Sequence, residues 1–136
     1  MRIQAALLAR FAETDPESGL LNLVGGGLDV FGLNELPAQF PVAFAVLLRF
    51  AESEADRTFD LTFVLRGPTL EPVGEPTSFE ITPRLGEYHA EGWEGTFTAT
   101  GALRLITESV GTHSVSVQID GIEAGVIPFQ VLLTET

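Results

Sequence analysis

Side chains in this sequence alternate with a period of two, and no stretch carries the three-to-four-residue spacing of an amphipathic helix. In TFDLTFVLR, Phe59, Leu61, Phe63 and Leu65 fall on one side of an extended backbone and Thr58, Asp60, Thr62 and Arg66 on the other. HSVSVQID repeats the pattern, with Val115, Val117 and Ile119 opposed to Ser114, Ser116, Gln118 and Asp120. QFPVAFAVLLRF puts Phe40, Val42, Phe44, Val46, Leu48 and Phe50 on one face, yet its other face holds Ala43, Ala45 and Leu47. A strand apolar on both sides is central in its sheet or covered by a partner chain. Residues 2–10, 20–31, 76–82 and 95–105 read as further strands, separated by the turn formers TDPESG, NELP, RGPTLEP and VGEP. Only ESEADR holds a helical turn, too short to stand as a helix. The expected fold is therefore all-β: a single domain over residues 1–136, an antiparallel β-sandwich of about eight strands, Ig-like or jelly-roll.

The C-terminal segment VSVQIDGIEAGVIPFQVLL reads as a hairpin about Asp120-Gly121, a two-residue turn in which both central residues take positive φ. That register pairs Ile119 with Ile122 and, continued unchanged, turns Ile127, Phe129, Val131 and Leu133 toward water. Either a β-bulge between Gly125 and Pro128 shifts the parity, or this face meets a second subunit. Pro128 suits a bulge, because it brings no ladder donor.

A chain of 136 residues fits one domain and buries roughly 68% of its unfolded surface. It has no cysteine, so burial of its 45% hydrophobic residues must hold it together. Nineteen acidic residues oppose seven basic ones, all arginine, for a net charge of −12. Nucleic acids and anionic membranes repel such a chain. MRIQAALLARFAE lacks the uninterrupted apolar core of a signal peptide, and no run reaches membrane-spanning length, so the expected location is the cytoplasm.

VGGGLDVFG looks most like a motif. A phosphate loop needs GxxxxGK[ST], and the chain has no lysine; a dinucleotide fingerprint needs a third glycine where Val30 stands. The glycines are read as a bend or a close backbone approach within a long strand. In GEYHAEGWEG an extended backbone puts Glu87, His89 and Glu91 on one face, a candidate cation site. The competing reading is the solvated polar face of a connecting loop, with Tyr88 and Trp93 anchoring it to the core. His113 shares the parity of Val115 and reads as a hydrogen-bonded structural histidine; Ser114 points to the other face, so the two form no nucleophile pair. Arg49 and Arg57 flank AESEAD, where local ion pairing is expected.

MRIQAALLA, GLLNLVGGG, QFPVAFAVLLRF, TFDLTFVLRG and GTHSVSVQIDGIEAGVIPFQV occur in that order. Together they resemble an uncharacterised family of short bacterial proteins of unknown function, and the ending is similar to the last hairpin of many immunoglobulin-like domains. The resemblance implies a β-sandwich and no chemistry.

The expected function is a non-enzymatic interaction or scaffold module that associates with a protein partner or with itself. Its candidate contact residues are Ala43, Ala45, Leu47, Ile127, Phe129, Val131 and Leu133, each of which core burial would also explain. No cofactor is expected. The alternative is a small-molecule or carbohydrate-binding sandwich using residues 87–93; a third is a cupin-like metal-dependent enzyme, which two histidines scarcely supply.

Overall fold

In the computed structural model, which describes residues 1–134, the chain runs through ten strands and one 3-10 turn, Glu52–Glu54. The last two residues of the expected 1–136 domain lie outside the described residues. β1 (Arg2–Ala9), β5 (Ala38–Phe50) and β8 (Gly95–Thr107) form a three-stranded sheet in the order β1-β5-β8. β4 (Val30–Leu33), β10 (Ile122–Leu133), β9 (Gly111–Ile119), β6 (Phe59–Arg66) and β7 (Thr77–Ile81) form a five-stranded sheet in the order given. β2 (Phe11–Thr14) and β3 (Leu21–Val24) make a separate hairpin. No helix among the described residues is long and apolar enough to cross a membrane.

Two strands thus replace the single strand expected over 20–31. Gly25 and Gly27 take φ of +61° and +84°, values a continuous strand does not accommodate. The amides of Gly27 and Leu28 donate to the Leu8 carbonyl at 2.8 and 3.1 Å, so the glycine run closes onto the end of β1. The chain then re-enters as β4, which pairs parallel to β10 from Val30↔Gln130 to Leu33↔Leu133. This ladder corrects the wholly antiparallel expectation; the other ladders are antiparallel.

The two larger sheets share one core. Leu8, Phe44, Val46 and Leu48 from the first meet Leu61, Phe63, Val115, Val117 and Phe129 from the second. The Phe44 and Phe63 rings lie 4.4 Å apart, centroid to centroid. Burying each such side chain stabilises the fold by about 1.5–3 kcal/mol. Two rings of β5 lie over glycines directly across the ladder, Phe44 over Gly101 and Phe50 over Gly95. A Cβ there would come within 2.8 and 2.4 Å of the rings, so both positions require glycine.

β5 is the central strand of its sheet, which accounts for its two apolar faces. β2 packs across β5 and β8 on the outer side, and Thr14 Oγ1 stands 3.1 Å from Thr100 Oγ1. Ala45 is buried and Ala43 and Leu47 are half-buried under this small hairpin.

Asp120 and Gly121 take φ of +50° and +82°, and Ile122 pairs with Ile119, as the sequence predicts. The parity change falls between Glu123 and Gly125, leaving Ala124 as the extra residue, slightly earlier than the expected Gly125 to Pro128. Glycine at 125 leaves room for Ile3, whose Cδ1 lies 3.1 Å from where a Cβ would stand. Beyond it Ile127, Phe129 and Val131 point inward and are 5%, 1% and 0% exposed. They belong to the core and offer no contact surface; Leu133 alone of that set is exposed. His113 is buried against the Phe129 ring, with Nδ1 3.1 Å from the Gly111 carbonyl.

Candidate functional site

The segment joining β7 to β8, residues 82–94, does not run extended. It folds into two tight turns, in which the His89 amide donates to Gly86 O and the Trp93 amide to Ala90 O, both at 3.1 Å. Period-two logic fails in turns, so Glu87, His89 and Glu91 share no face. His89 turns inward, its Nε2 3.9 Å from Glu52 Oε1, while Glu87 and Glu91 face solvent. No cluster of three or more His, Cys, Asp or Glu side chains among the described residues stands close enough to hold a metal ion.

Two anchors fix the loop to the 3-10 turn. Glu52 accepts the Gly92 amide, and the Asp56 amide donates to Pro83 O at 2.8 Å. Glu52 is held in place by the chain that bears it, because Glu54 accepts the Ala51 amide and closes that turn. The N-terminal ammonium and the Ala51 amide hold the Glu54 carboxyl below the ordinary carboxylate range. Arg49 and Arg57 take no part in ion pairs among the described residues, contrary to the expectation for AESEAD. Arg49 donates to Thr96 Oγ1 at 2.7 Å, and Arg57 lies 5.3 Å from the centre of the Phe59 ring.

With His89 and the Gly92 amide held at Glu52, the loop leaves its aromatic side chains in water. Tyr88 is 92% and Trp93 70% exposed, the reverse of the anchoring role read from sequence. Tyr88 borders an open concavity of about 590 Å³, walled also by Arg84, Gly86, Glu87, His89 and Glu94 to Thr96, and by Glu17 and Ser18 at the tip of the β2–β3 hairpin; Trp93 precedes the wall residue Glu94 in the chain. Glu94 also bonds Arg2 at 2.9 Å, and Arg84 stands 3.9 Å from Asp56. Glu17 and Glu87 carry no ion-pair partner among the described residues, so the mouth is net negative. Carboxylates beside exposed ring faces suit a cationic partner, which gains both charge attraction and cation–π contact.

A second opening, of about 320 Å³, adjoins the first along β8, where Phe44, Leu61, Phe79 and Phe97 line a cleft between β7 and β8. Nothing in the sequence pattern identified Phe79 and Phe97 as cleft residues, since each lies on the apolar side of its strand. Tyr88 and Trp93 did carry a signal: their immediate neighbours, Glu87 and His89 for the first and Gly92 and Glu94 for the second, include no large apolar residue.

A family model described as a family of unknown function (DUF6941) matches residues 4–132. No curated protein matches the sequence significantly. Among solved structures, the chain is similar to Pseudomonas fluorescens alkylpurine DNA glycosylase AlkC bound to DNA containing an abasic site analog. The likeness has a TM-score of 0.43 at 15% identity and covers 76% of this chain and 28% of that one. The chain thus spans little more than a quarter of that protein's length, and a likeness of this degree carries no functional argument.

Proposed function

Because the chain belongs to this family of unknown function, for which no activity is described, we propose from its own surface that it is a non-enzymatic interaction module whose loop end recruits a basic protein partner. The observation that carries this reading is the exposure of Tyr88 at a concavity bearing Glu17, Glu87 and Glu94, with Trp93 exposed one residue from Glu94. Large aromatic side chains left in water at a rim mark contact surfaces. A chain of net charge −12 attracts cationic partners from a distance.

Trp93 is the sole tryptophan, so its emission reports directly on the site. Titration with an arginine-rich peptide is expected to shift that emission saturably. The shift should weaken at about 0.3 M salt, where screening is strong. It should disappear in the double variant Glu87→Lys, Glu94→Lys. A response to neutral oligosaccharides and none to the peptide would overturn this reading in favour of a carbohydrate-binding module. That second reading draws on the same aromatic pair, since sugars stack on exposed rings.

Self-association has a different surface from the one expected. Val30, Val126 and Leu132, each about half exposed, lie on the outer face of β4 and β10 and support contact between copies there. Light scattering at high concentration tests it, a strictly monomeric chain removing it.

The two facing sheets support a β-sandwich, and their order supports the immunoglobulin-like form over the jelly-roll. β1, β5 and β8 correspond to strands A, B and E of that plan, and β6, β9 and β10 to C, F and G, with β7 added beside C. Strand D has no counterpart.

A further inference from the structure

The five-stranded sheet is wider than the three-stranded one, and the inner side of β7, an edge strand, is only partly covered. Its Phe79 ring reaches across to Phe44 and Phe63, at centroid distances of 5.4 and 5.9 Å, and remains half exposed. On the far side of the gap runs β8, thirteen residues long and paired along its whole length to β5 alone. In an antiparallel ladder about half of an edge strand's N–H and C=O groups point away from its neighbour. Among the described residues, the contact these groups make elsewhere is a hydroxyl bond from Thr14 to the Thr98 carbonyl, at 3.4 Å.

Natural edges are shielded by shortness, proline or charge. β4 is four residues long. β7 is five, carries Glu80 and lies between Pro76 and Pro83. The free side of β1 lies against β10. β8, GTFTATGALRLIT, has no proline, and its one charge, Arg104, is exposed on the outer face. It is the longest edge strand without proline among the described residues; the β2–β3 hairpin touches it through Thr14 at Thr98 and Thr100, and it borders a cleft floored by phenylalanine, with the acidic mouth next along the strand at Gly95 and Thr96.

We propose that β8 receives an extended segment of a partner polypeptide as an added strand, with an apolar side chain in the cleft over Phe44, Leu61, Phe79 and Phe97 and basic residues toward Glu17 and Glu87. Backbone pairing supplies affinity and the alternating side chains supply selectivity. The basic end rests on the proposed function; the strand addition rests on the edge itself. Charge selects this occupant over a second copy, which would bring a further net charge of −12 to the same seam.

The full chain is panned against a displayed library of random peptides of about ten residues, the span of a strand this edge can pair. The strongest binder is then resynthesised unmodified and with N-methyl groups on alternate amides, in each of the two frames. Enriched sequences are expected to alternate apolar and polar residues and to carry Lys or Arg at one end. Methylation in one frame should weaken binding by about tenfold or more, because it removes the ladder donors, and leave the other frame nearly unaffected. The unmodified peptide should slow amide exchange in β8. A binder indifferent to methylation in both frames, or one that protects no β8 amide, overturns strand addition. So does recovery of no binder, or a concentration-dependent dimer that protects β8 without peptide. The two readings fail separately. Loss of the basic preference in Glu87→Lys, Glu94→Lys together with indifference to methylation leaves only the basic-partner reading, whereas methylation-sensitive binding without any basic preference leaves only strand addition.

Discussion

Phe129 and Leu133 lie four residues apart on one strand, and truncating them has unequal consequences. Phe129 is enclosed by His113 and Phe31, so Phe129→Ala leaves a void and is expected to cost about 3–5 kcal/mol. Leu133→Ala, at the exposed end, should stay within about 0.5 kcal/mol. Urea unfolding of the two variants separates core from surface; equal losses would contradict the inward parity. Gly101→Ala should cost about 1–3 kcal/mol, since its methyl group would press on the Phe44 ring. A fourth residue, Asp15, governs pH dependence at the hairpin tip. Asp15 Oδ1 accepts the amides of Glu17 and Ser18, at 2.8 and 3.3 Å, and these bonds hold its carboxyl below the ordinary aspartate range. A lowered native value means that Asp15 stabilises the fold above the unfolded-state pKa and that this contribution fades as pH falls toward the native value. Carboxyl NMR should show Asp15 titrating at lower pH than an ordinary aspartate, and Asp15→Asn should flatten the acid limb of stability that this residue provides.

At the scale of elements, β6 and β9 were legible because each has one apolar and one polar face, and parity then fixes which face is buried. β5 was legible as central because both its faces are apolar. Residues 20–31 were not, because alternation says nothing about the sign of φ, and Gly25 and Gly27 turn the chain where the letters suggest continuity. The candidate loop was legible only as a segment. Applying strand parity to 87–91 joined three side chains that turns separate, and the ordinary tendency of aromatic residues to be buried misplaced Tyr88 and Trp93. The bulge was the one irregularity that parity itself demanded, since without it four large apolar side chains face water. Its role is testable: deleting Ala124 removes only the unpaired residue, leaving Gly125 opposite Val117 and Ile127 opposite Val115, so Ile127, Phe129 and Val131 stay inward. That deletion should therefore keep cooperative thermal unfolding, as should Ala124→Ser, which should leave the melting temperature within a few degrees. Loss of cooperative unfolding on deletion would mean that the pairs beyond the bulge do not hold this register.

For the molecule as a whole, charge and fold oppose each other. Nineteen carboxylates and seven arginines leave an excess of twelve negative charges. The pairs between Arg2 and Glu94 and between Arg84 and Asp56 are exposed and contribute little. Compaction therefore brings like charges together, and the folded state is the one that suffers most from self-repulsion. Salt shortens the reach of that repulsion, from about 30 Å at 0.01 M to about 8 Å at 0.15 M. Calorimetric melting temperatures should accordingly rise by a few degrees across this interval, about 1 kcal/mol, without any ion binding to a specific site. The same salt should weaken capture of a basic peptide at the acidic mouth, because there the screened interaction is attractive. Opposite signs in one titration, stability rising while affinity falls, are what a net-negative module with a cation-seeking rim requires. Stability that falls with salt would show that local attractions outweigh the net charge, and affinity insensitive to salt would remove the carboxylates from the contact.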